Sequence, residues 1–171
     1  RKSPHLYEEV AHIPLIVRLP DSEGKVCGRY DSLVQPTDLM PTILELADIA
    51  CPKTVQGKSL LPIIRGEDFE EREIAVSSSS LIDPSTIRIT ITSKEWSLIT
   101  VRSDAPSVDK LGVKAEPELY HLSTDPKQTC NLYEENKEVA EELHSKMAQF
   151  LESIGTKEEI LRRWKKIKQS K

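Results

Sequence analysis

Residues 87–101 read Ile-Arg-Ile-Thr-Ile-Thr-Ser-Lys-Glu-Trp-Ser-Leu-Ile-Thr-Val, and this stretch decides the fold of the second half of the chain. Isoleucine occupies every odd position from Ile87 to Ile91, while arginine or threonine occupies the even positions. This period of two predicts a strand with one buried face and one solvated face. A second alternating run, from Trp96 to Val101, predicts the next strand.

Two further strands and a long helix complete the layer around this stretch. Alternation at Ile74–Val76 and at Glu118–Leu122 predicts one strand on each side. Asn136 is suited to cap a helix and Gly155 to end it. Between them one helical face is apolar, at Ala140, Leu143, Met147, Phe150, Leu151 and Ile154. Residues 67–171 are therefore expected to form an α+β subdomain, a small four-stranded and mostly antiparallel sheet packed by a long C-terminal helix.

The first 66 residues follow a different pattern. Ile13–Val17 is an apolar run without alternation and with Pro14 inside it, which predicts a strand buried on both faces of a parallel sheet. The rest of the chain offers no matching parallel strand. Residues 1–66 are therefore expected to be the C-terminal end of a large α/β domain, comprising its closing strand and helices. The fold class is then an α/β fragment followed by an α+β subdomain.

Polar residues predict where two of the helices start. Asp38 is expected to cap a helix in which Leu39 and Ile43 share an apolar face. Thr156 and Glu159 have the spacing of a capping box for a last helix. Without a large sheet, the Asp38 helix and the strand before it would expose apolar surface. We therefore expect local disorder there, or a homo-oligomer in which a second copy shields the exposed strand or helix.

Composition argues against several classes of function. The net charge of −4 gives no general case for a nucleic-acid partner, and no stretch is long and apolar enough to cross a membrane. Cys27, Cys51 and Cys130 lie far apart and without CxxC spacing, which argues against a disulfide framework and a zinc site. The basic run Arg162–Lys168 is interpreted as a solvated helix face near a chain end.

Three groups of short segments carry a resemblance to a known family. The first motif group is Lys-Ser-Pro-His-Leu-Tyr-Glu-Glu at 2–9 with Ile-Pro-Leu-Ile-Val at 13–17. The second is Thr-Asp-Leu-Met-Pro-Thr at 37–42 with Gly-Lys-Ser-Leu-Leu-Pro at 57–62. The third is Glu-Leu-Tyr-His-Leu at 118–122 with Asp-Pro at 125–126 and Asn-Leu at 131–132. In this order and spacing they resemble the C-terminal part of the sulfatase family, within the alkaline-phosphatase-like superfamily. The resemblance implies a sulfuric ester hydrolase that acts on sulfate esters.

The resemblance also implies roles for single residues. Lys2 matches the family lysine that contacts the sulfate group, where an ammonium can stabilise charge in the transition state. His5 is a candidate for the substrate pocket, or it packs locally. Calcium and a formylglycine residue are implied for the full-length enzyme, but no metal ligand can be matched here. Cys51 does not fit the Cys/Ser-x-Pro-x-Arg motif of the nucleophile, because Pro52 comes one residue too early. Without that nucleophile and the metal ligands, the fragment is expected to be inactive on its own.

Two other interpretations of the function stay open. One is a phosphonate or phosphodiester hydrolase of the same superfamily, and the other is a non-catalytic interaction domain. The residues that separate them would lie upstream of this stretch. Among the remaining polar residues, Asp125 is expected to form a turn, and His121 and His144 are expected to lie on the surface.

Overall fold

The computed structural model describes residues 6–19, 28–78, 88–107 and 115–167. Its contacts divide the chain into two compact units, one comprising residues 6–13 and 74–167, and the other residues 14–73. In chain order the elements are α1 (Glu8–Ala11), a 3-10 turn (Pro36–Asp38), α2 (Leu39–Leu46), α3 (Leu61–Arg65), β1 (Ala75–Ser77), β2 (Arg88–Thr92), β3 (Trp96–Val101), β4 (Glu118–His121), α4 (Lys137–Ser153) and α5 (Glu158–Trp164). No helix among the described residues has the length and hydropathy needed to span a bilayer.

The four strands form the antiparallel sheet that the alternating pattern predicts. Their order is β1-β2-β3-β4, and every neighbouring pair is antiparallel. Ile91 lies opposite Val76 on one side and opposite Leu98 on the other, and Leu98 in turn lies opposite Leu119. These pairings place one apolar residue from each of the four strands side by side on one face, which we call the helix face.

Helix α4 covers the helix face with the predicted apolar stripe. The core that results contains Ile89, Ile91, Leu98, Leu119, Tyr133, Ala140, Leu143, Met147, Leu151, Leu161 and Trp164. Helix α4 ends where glycine permits it, since Gly155 has φ +75° and the next amide, that of Thr156, donates to the Leu151 carbonyl. The α+β fold class and the long C-terminal helix are therefore confirmed.

The opposite face of the sheet is also buried, so the predicted solvated face is wrong. Thr90 is 2% exposed, and Ser97, Ile99 and Val101 are 0% exposed. We call this surface the second face. Threonine and arginine at alternate positions of a strand usually indicate a face in contact with water. The same side chains can instead be buried where other polar groups of the protein replace water as hydrogen-bond partners. On the second face those groups come from elsewhere in the chain, as described below.

The predicted strand at Ile13–Val17 is not formed. Residues 12–19 have no regular secondary structure, and the Ile16 side chain is 92% exposed. A parallel strand needs neighbouring strands to satisfy its amides and carbonyls. The described part of the unit 14–73 contains no strand. The apolar face of α2 is likewise exposed, with Ile43 at 63%, and the buried residues of this helix are Pro41 and Thr42.

None of the three predicted helix caps forms through a side-chain hydrogen bond. Asn136 occupies the N-cap position of α4 but makes no side-chain cap bond, and its Nδ2 donates to the Leu132 carbonyl instead. The Asp38 side chain makes no cap bond to α2, because it belongs to a capping box in the preceding 3-10 turn, where it accepts from the amide of Gln35. Thr156 does not cap α5, whose N-cap position is Lys157. Thr156 lies one residue too early, since its amide is used in the turn that ends α4.

Candidate functional site: docking of the Tyr7–Glu8 segment on the sheet

The two residues predicted from the sequence as site residues, Lys2 and His5, lie outside the described residues. The structure begins to describe the same segment at Leu6, and the next two residues, Tyr7 and Glu8, start α1. The site is therefore built from these two residues and from their partners on the second face of the sheet.

Tyr7 docks on β4 through one carboxylate. Its hydroxyl donates to Oε2 of Glu118 at 2.9 Å, and the Tyr120 hydroxyl donates to the same oxygen at 2.6 Å. The two tyrosine rings meet edge to face, with 6.1 Å between centroids and 71° between planes. Glu118 and Tyr120 are two residues apart on a strand, so both side chains point to the second face. Hydrogen bonds to an ionised carboxylate are stronger than those between neutral groups. The contact of Tyr7 with β4 therefore combines a directional hydrogen bond with the apolar contact of the two rings.

The protonation states of the two tyrosines suit this arrangement. Burial is the largest cause that raises the pKa of Tyr7, to about 12, and the negative charge of Glu118 adds to it. Burial and the hydrogen bond to Glu118 also raise the pKa of Tyr120 far above its ordinary value. Both hydroxyls therefore remain protonated, and remain donors, at neutral and moderately alkaline pH.

Gln128 makes a second attachment one residue further along. Its Oε1 accepts from the Glu8 amide at 2.6 Å, and its Nε2 donates to Oγ of Ser97 on β3 at 3.1 Å. The backbone N–H of Glu8 can only donate, so this contact fixes the side-chain oxygen of Gln128 as the end that faces α1. The residue before α1, Tyr7, provides no side-chain cap. Gln128 therefore satisfies one of the unpaired amides at the start of this helix.

A turn after β4 holds Gln128 in place. Gln128 has φ +52°, in the left-handed region that residues other than glycine rarely adopt. Its amide donates to the Asp125 carbonyl at 3.0 Å, and Oδ2 of Asp125 accepts from the amides of Thr129 and Cys130 at 2.8 Å each. The amide of Cys130 is the largest cause that lowers the pKa of Asp125. The prediction that Asp125 forms a turn is thus confirmed.

Asn131 ties this turn back to β4. Its Oδ1 accepts from the amides of Leu119, at 2.9 Å, and Tyr133, at 3.0 Å. Its Nδ2 donates to the Pro117 carbonyl at 3.3 Å. The third motif group is therefore a scaffold that presents Glu118, Tyr120 and Gln128 to the first motif group at residues 7 and 8.

The second motif group forms a separate connection within residues 14–73. Asp38 is 1% exposed, and its carboxylate accepts from the amide of Lys58 at 2.9 Å and from Nη2 of Arg72 at 2.6 Å. Oγ1 of Thr42 accepts from the amide of Leu60 at 2.9 Å. A Cβ atom built on Gly57 would lie 2.0 Å from the Thr37 carbonyl oxygen, so glycine is required for this close approach. These residues hold segments 37–42 and 57–62 together.

The other candidate residues that the structure describes form no catalytic group. Cys51 and Cys130 are exposed free cysteines, and Cys27 lies outside the described residues. His144 is buried, so its predicted surface position is wrong. The position lies on α4 beside the apolar stripe, and burial lowers the pKa of this imidazole to about 4. Within the ranges that the structure describes, no group of three or more His, Cys, Asp or Glu side chains is placed to hold a metal ion.

The sequence patterns missed the partners of Tyr7. Glu118 and Tyr120 stand in a recognised motif, and their spacing of two already places them on the same face of a strand. That spacing could have identified Glu118 and Tyr120 as neighbours on one face, but it could not have identified Tyr7 as their partner. Gln128 had no signal of its own, because its role depends on a backbone conformation set by Asp125.

Comparisons with known proteins identify the family to which the motif groups point. A family model described as N-sulphoglucosamine sulphohydrolase, C-terminal, matches residues 3–153. The uncharacterized sulfatase YidJ of Escherichia coli (strain K12) is 26% identical over 157 residues, which cover 90% of this chain and 29% of that protein. The N-acetylgalactosamine-6-O-sulfatase of Bacteroides thetaiotaomicron is 28% identical over 158 residues, covering 88% and 29%.

Solved structures show the same fold. One, described with the metabolism of multiple glycosaminoglycans by Bacteroides thetaiotaomicron, matches with a TM-score of 0.58 and 25% identity over 78% of this chain and 30% of its own. Another, in complex with its substrate D-glucosamine-2-N,6-O-disulfate, matches with a TM-score of 0.56 and 20% identity over 72% and 25%. The chain spans less than a third of the length of the curated relatives named above. It belongs to the N-sulphoglucosamine sulphohydrolase C-terminal family, a family of C-terminal sulfatase domains.

Proposed function

We propose that the whole protein that contains this region hydrolyses sulfate monoesters. The observation that carries the proposal is the family match over residues 3–153, which includes all but the first residue of the three motif groups. The geometry supports it, because the first and third groups meet at Tyr7 and Glu118. Motif residues that contact each other across 111 positions of sequence belong to one structural unit.

Within this proposal, residues 1–66 are the C-terminal end of a large α/β domain and residues 67–171 are the small C-terminal subdomain. The exposed apolar residues support the first assignment. Leu15, Ile16, Val17, Met40 and Ile43 are each more than 40% exposed. This many large apolar side chains exposed within one unit is unusual for a surface that faces only water. In the proposal, the rest of the α/β domain covers it.

Lys2 is the residue proposed to act on the substrate. A sulfate ester gathers negative charge on its oxygens as the ester bond breaks, and a positioned ammonium lowers the energy of that transition state. His5, three residues further on, is proposed to line the substrate pocket. Both roles come from the resemblance of residues 2–9 to the family motif. Lys2 lies one position before the range that the family model matches.

Calcium and formylglycine are proposed for the full-length enzyme only. The described residues offer no cluster of His, Cys, Asp or Glu that fits a metal ion. The carboxylates of two acidic motif residues already accept hydrogen bonds within the chain. Asp38 accepts from Lys58 and Arg72, and Asp125 accepts from an amide in its turn. The metal ligands and the nucleophile are therefore proposed to come from elsewhere in the full-length protein.

The test compares substrate classes on the full-length protein. An aryl sulfate, a sulfated amino sugar, an aryl phosphonate monoester and a phosphodiester are assayed side by side, with the chain 1–171 alone as control. The proposal predicts the highest kcat/KM for a sulfate ester. It also predicts neither turnover nor tight calcium binding by the chain alone. Preference for the phosphonate or the phosphodiester would replace the proposal with its rival, and no turnover of any ester would favour an interaction domain.

A further inference from the structure

We infer that the second face of the sheet is a peptide-binding surface, and that the segment 6–13 occupies it as a ligand carried by the same chain. The surface fits a tyrosine followed by a residue with a free backbone N–H, here Tyr7 and Glu8. The inference does not rest on the proposed hydrolysis, because the contacts that carry it join only residues 7–8, 97 and 118–128.

The groups that receive the segment are held in place without it. The Glu118 carboxylate that accepts from Tyr7 also accepts from Tyr120, its neighbour on β4. Gln128 donates to Ser97 through its Nε2, and its turn fixes its backbone at φ +52°. Each receiving group therefore has a second partner within the sheet unit. Such a preorganised surface needs little reordering when the segment binds, which favours binding.

The two polar contacts select for chemistry rather than for size alone. Phenylalanine in place of Tyr7 would keep the edge-to-face contact with the Tyr120 ring but would lose the donor to Glu118. Proline in place of Glu8 would lose the N–H that donates to Gln128 at 2.6 Å. The surface should therefore distinguish a tyrosine followed by any residue other than proline from closely related pairs.

Occupancy of the surface sets the affinity that it needs. A segment tethered near its site experiences an effective concentration in the millimolar range. If the segment is bound nine-tenths of the time, its dissociation constant must lie about tenfold below that concentration. The segment supplied as a free peptide should therefore bind with a Kd below about 1 mM, which a titration followed by NMR can measure.

The test uses the chain 1–171 with its own segment displaced from the surface by a double variant. Tyr7→Ala removes the ring and the hydroxyl, and Glu8→Pro removes the amide donor. Proline suits this backbone, because position 8 starts α1 and the preceding residue has φ −67° and ψ 166°. A peptide of residues 6–13 is titrated into the double variant, and the amide signals of Tyr120 and Gln128 are followed by NMR.

We expect saturable binding to the double variant, and none to the wild-type chain, whose own segment fills the surface. Peptides that carry Tyr7→Phe or Glu8→Pro should bind about tenfold more weakly, the usual effect of losing one such hydrogen bond. A peptide with Glu9→Gln, changed at an exposed position, is the matched control and should bind as the unchanged peptide does.

Three results would overturn the inference. No saturation at millimolar peptide would show that the segment has no affinity of its own for the surface. Equal binding of the Tyr7→Phe peptide would show that the hydroxyl contact with Glu118 is not recognised. Loss of the folded signals of β2 and β3 in the double variant would show that the surface does not form without its segment.

Discussion

Replacing Asp38 with alanine should separate the two segments of the second motif group. The carboxylate is 1% exposed and accepts three hydrogen bonds, from the amides of Gln35 and Lys58 and from Arg72. Arg72 is itself largely buried, with 14% of its side chain exposed. Alanine would leave a buried guanidinium and two amides without their acceptor.

The structure sets the size of this effect. Removing one partner of a buried ion pair costs about 3–5 kcal/mol of stability. The two hydrogen bonds from backbone amides are lost with the same carboxylate, so their energies do not add to this figure in full. A domain has a total stability of roughly 5–15 kcal/mol, so the variant should lose a large part of it. Asp38→Asn should cost less, because its amide oxygen can still accept one of the hydrogen bonds.

Amide hydrogen exchange at Lys58 and Leu60 measures this loss locally, since both amides donate to side chains of segment 37–42. A loss of about 3 kcal/mol corresponds to exchange that is faster by roughly a hundredfold. Asp68→Ala, which removes an exposed carboxylate of the same unit, is the control and should leave the rates unchanged. Unaltered exchange at Lys58 in Asp38→Ala would refute the assignment of Asp38 as the residue that joins the two segments.

Three further predictions concern single positions. Burial lowers the pKa of His144 from 6.5 to about 4. Between these two pH values the unfolded chain therefore binds more protons than the folded chain. The free energy of unfolding should fall by up to about 3 kcal/mol from pH 7 to pH 4. Denaturant titrations of His144→Leu should lack this component, and His121→Leu should retain it; equal pH dependence in both would contradict the assignment. Gly57→Ala should destabilise the unit 14–73, seen as faster exchange at Leu60, because its Cβ would clash with a carbonyl oxygen; normal exchange would show that the backbone can move aside. Ile43→Lys should reduce self-association of the chain 1–171 in sedimentation velocity, since this side chain is 63% exposed on an apolar helix face; identical sedimentation of both chains at rising concentration would exclude this face as a contact.

The sheet and helix α4 could be predicted because their signals are local. Period-two alternation in β2 and β3 and the apolar stripe ending at Gly155 depend on neighbouring residues alone. The antiparallel order follows from short connections, such as the one between Thr92 and Trp96. The helix face of the sheet is also buried by residues of 74–167 alone.

The failed predictions concern residues whose environment comes from distant parts of the chain. The apolar run Ile13–Val17 has the composition of a strand, but a strand also requires partners. The second face of the sheet alternates as if solvated, yet Tyr7 and Gln128 reach it from far away in sequence. His144 lies on α4 beside the apolar stripe, and its burial depends on how α4 packs in the fold. No local pattern contains that information.

The proposed role of Lys2 gives the most direct test of the proposal that the full-length protein hydrolyses sulfate monoesters. Lys2→Ala should lower kcat on a sulfate monoester by roughly a hundred- to a thousandfold, the usual cost of losing one positioned donor to the transition state. Lys53→Ala, at an exposed lysine in a turn, is the matched control and should leave kcat unchanged. Circular dichroism and thermal unfolding should be the same for both variants and the wild type. Near-normal turnover by a folded Lys2→Ala enzyme would contradict the account.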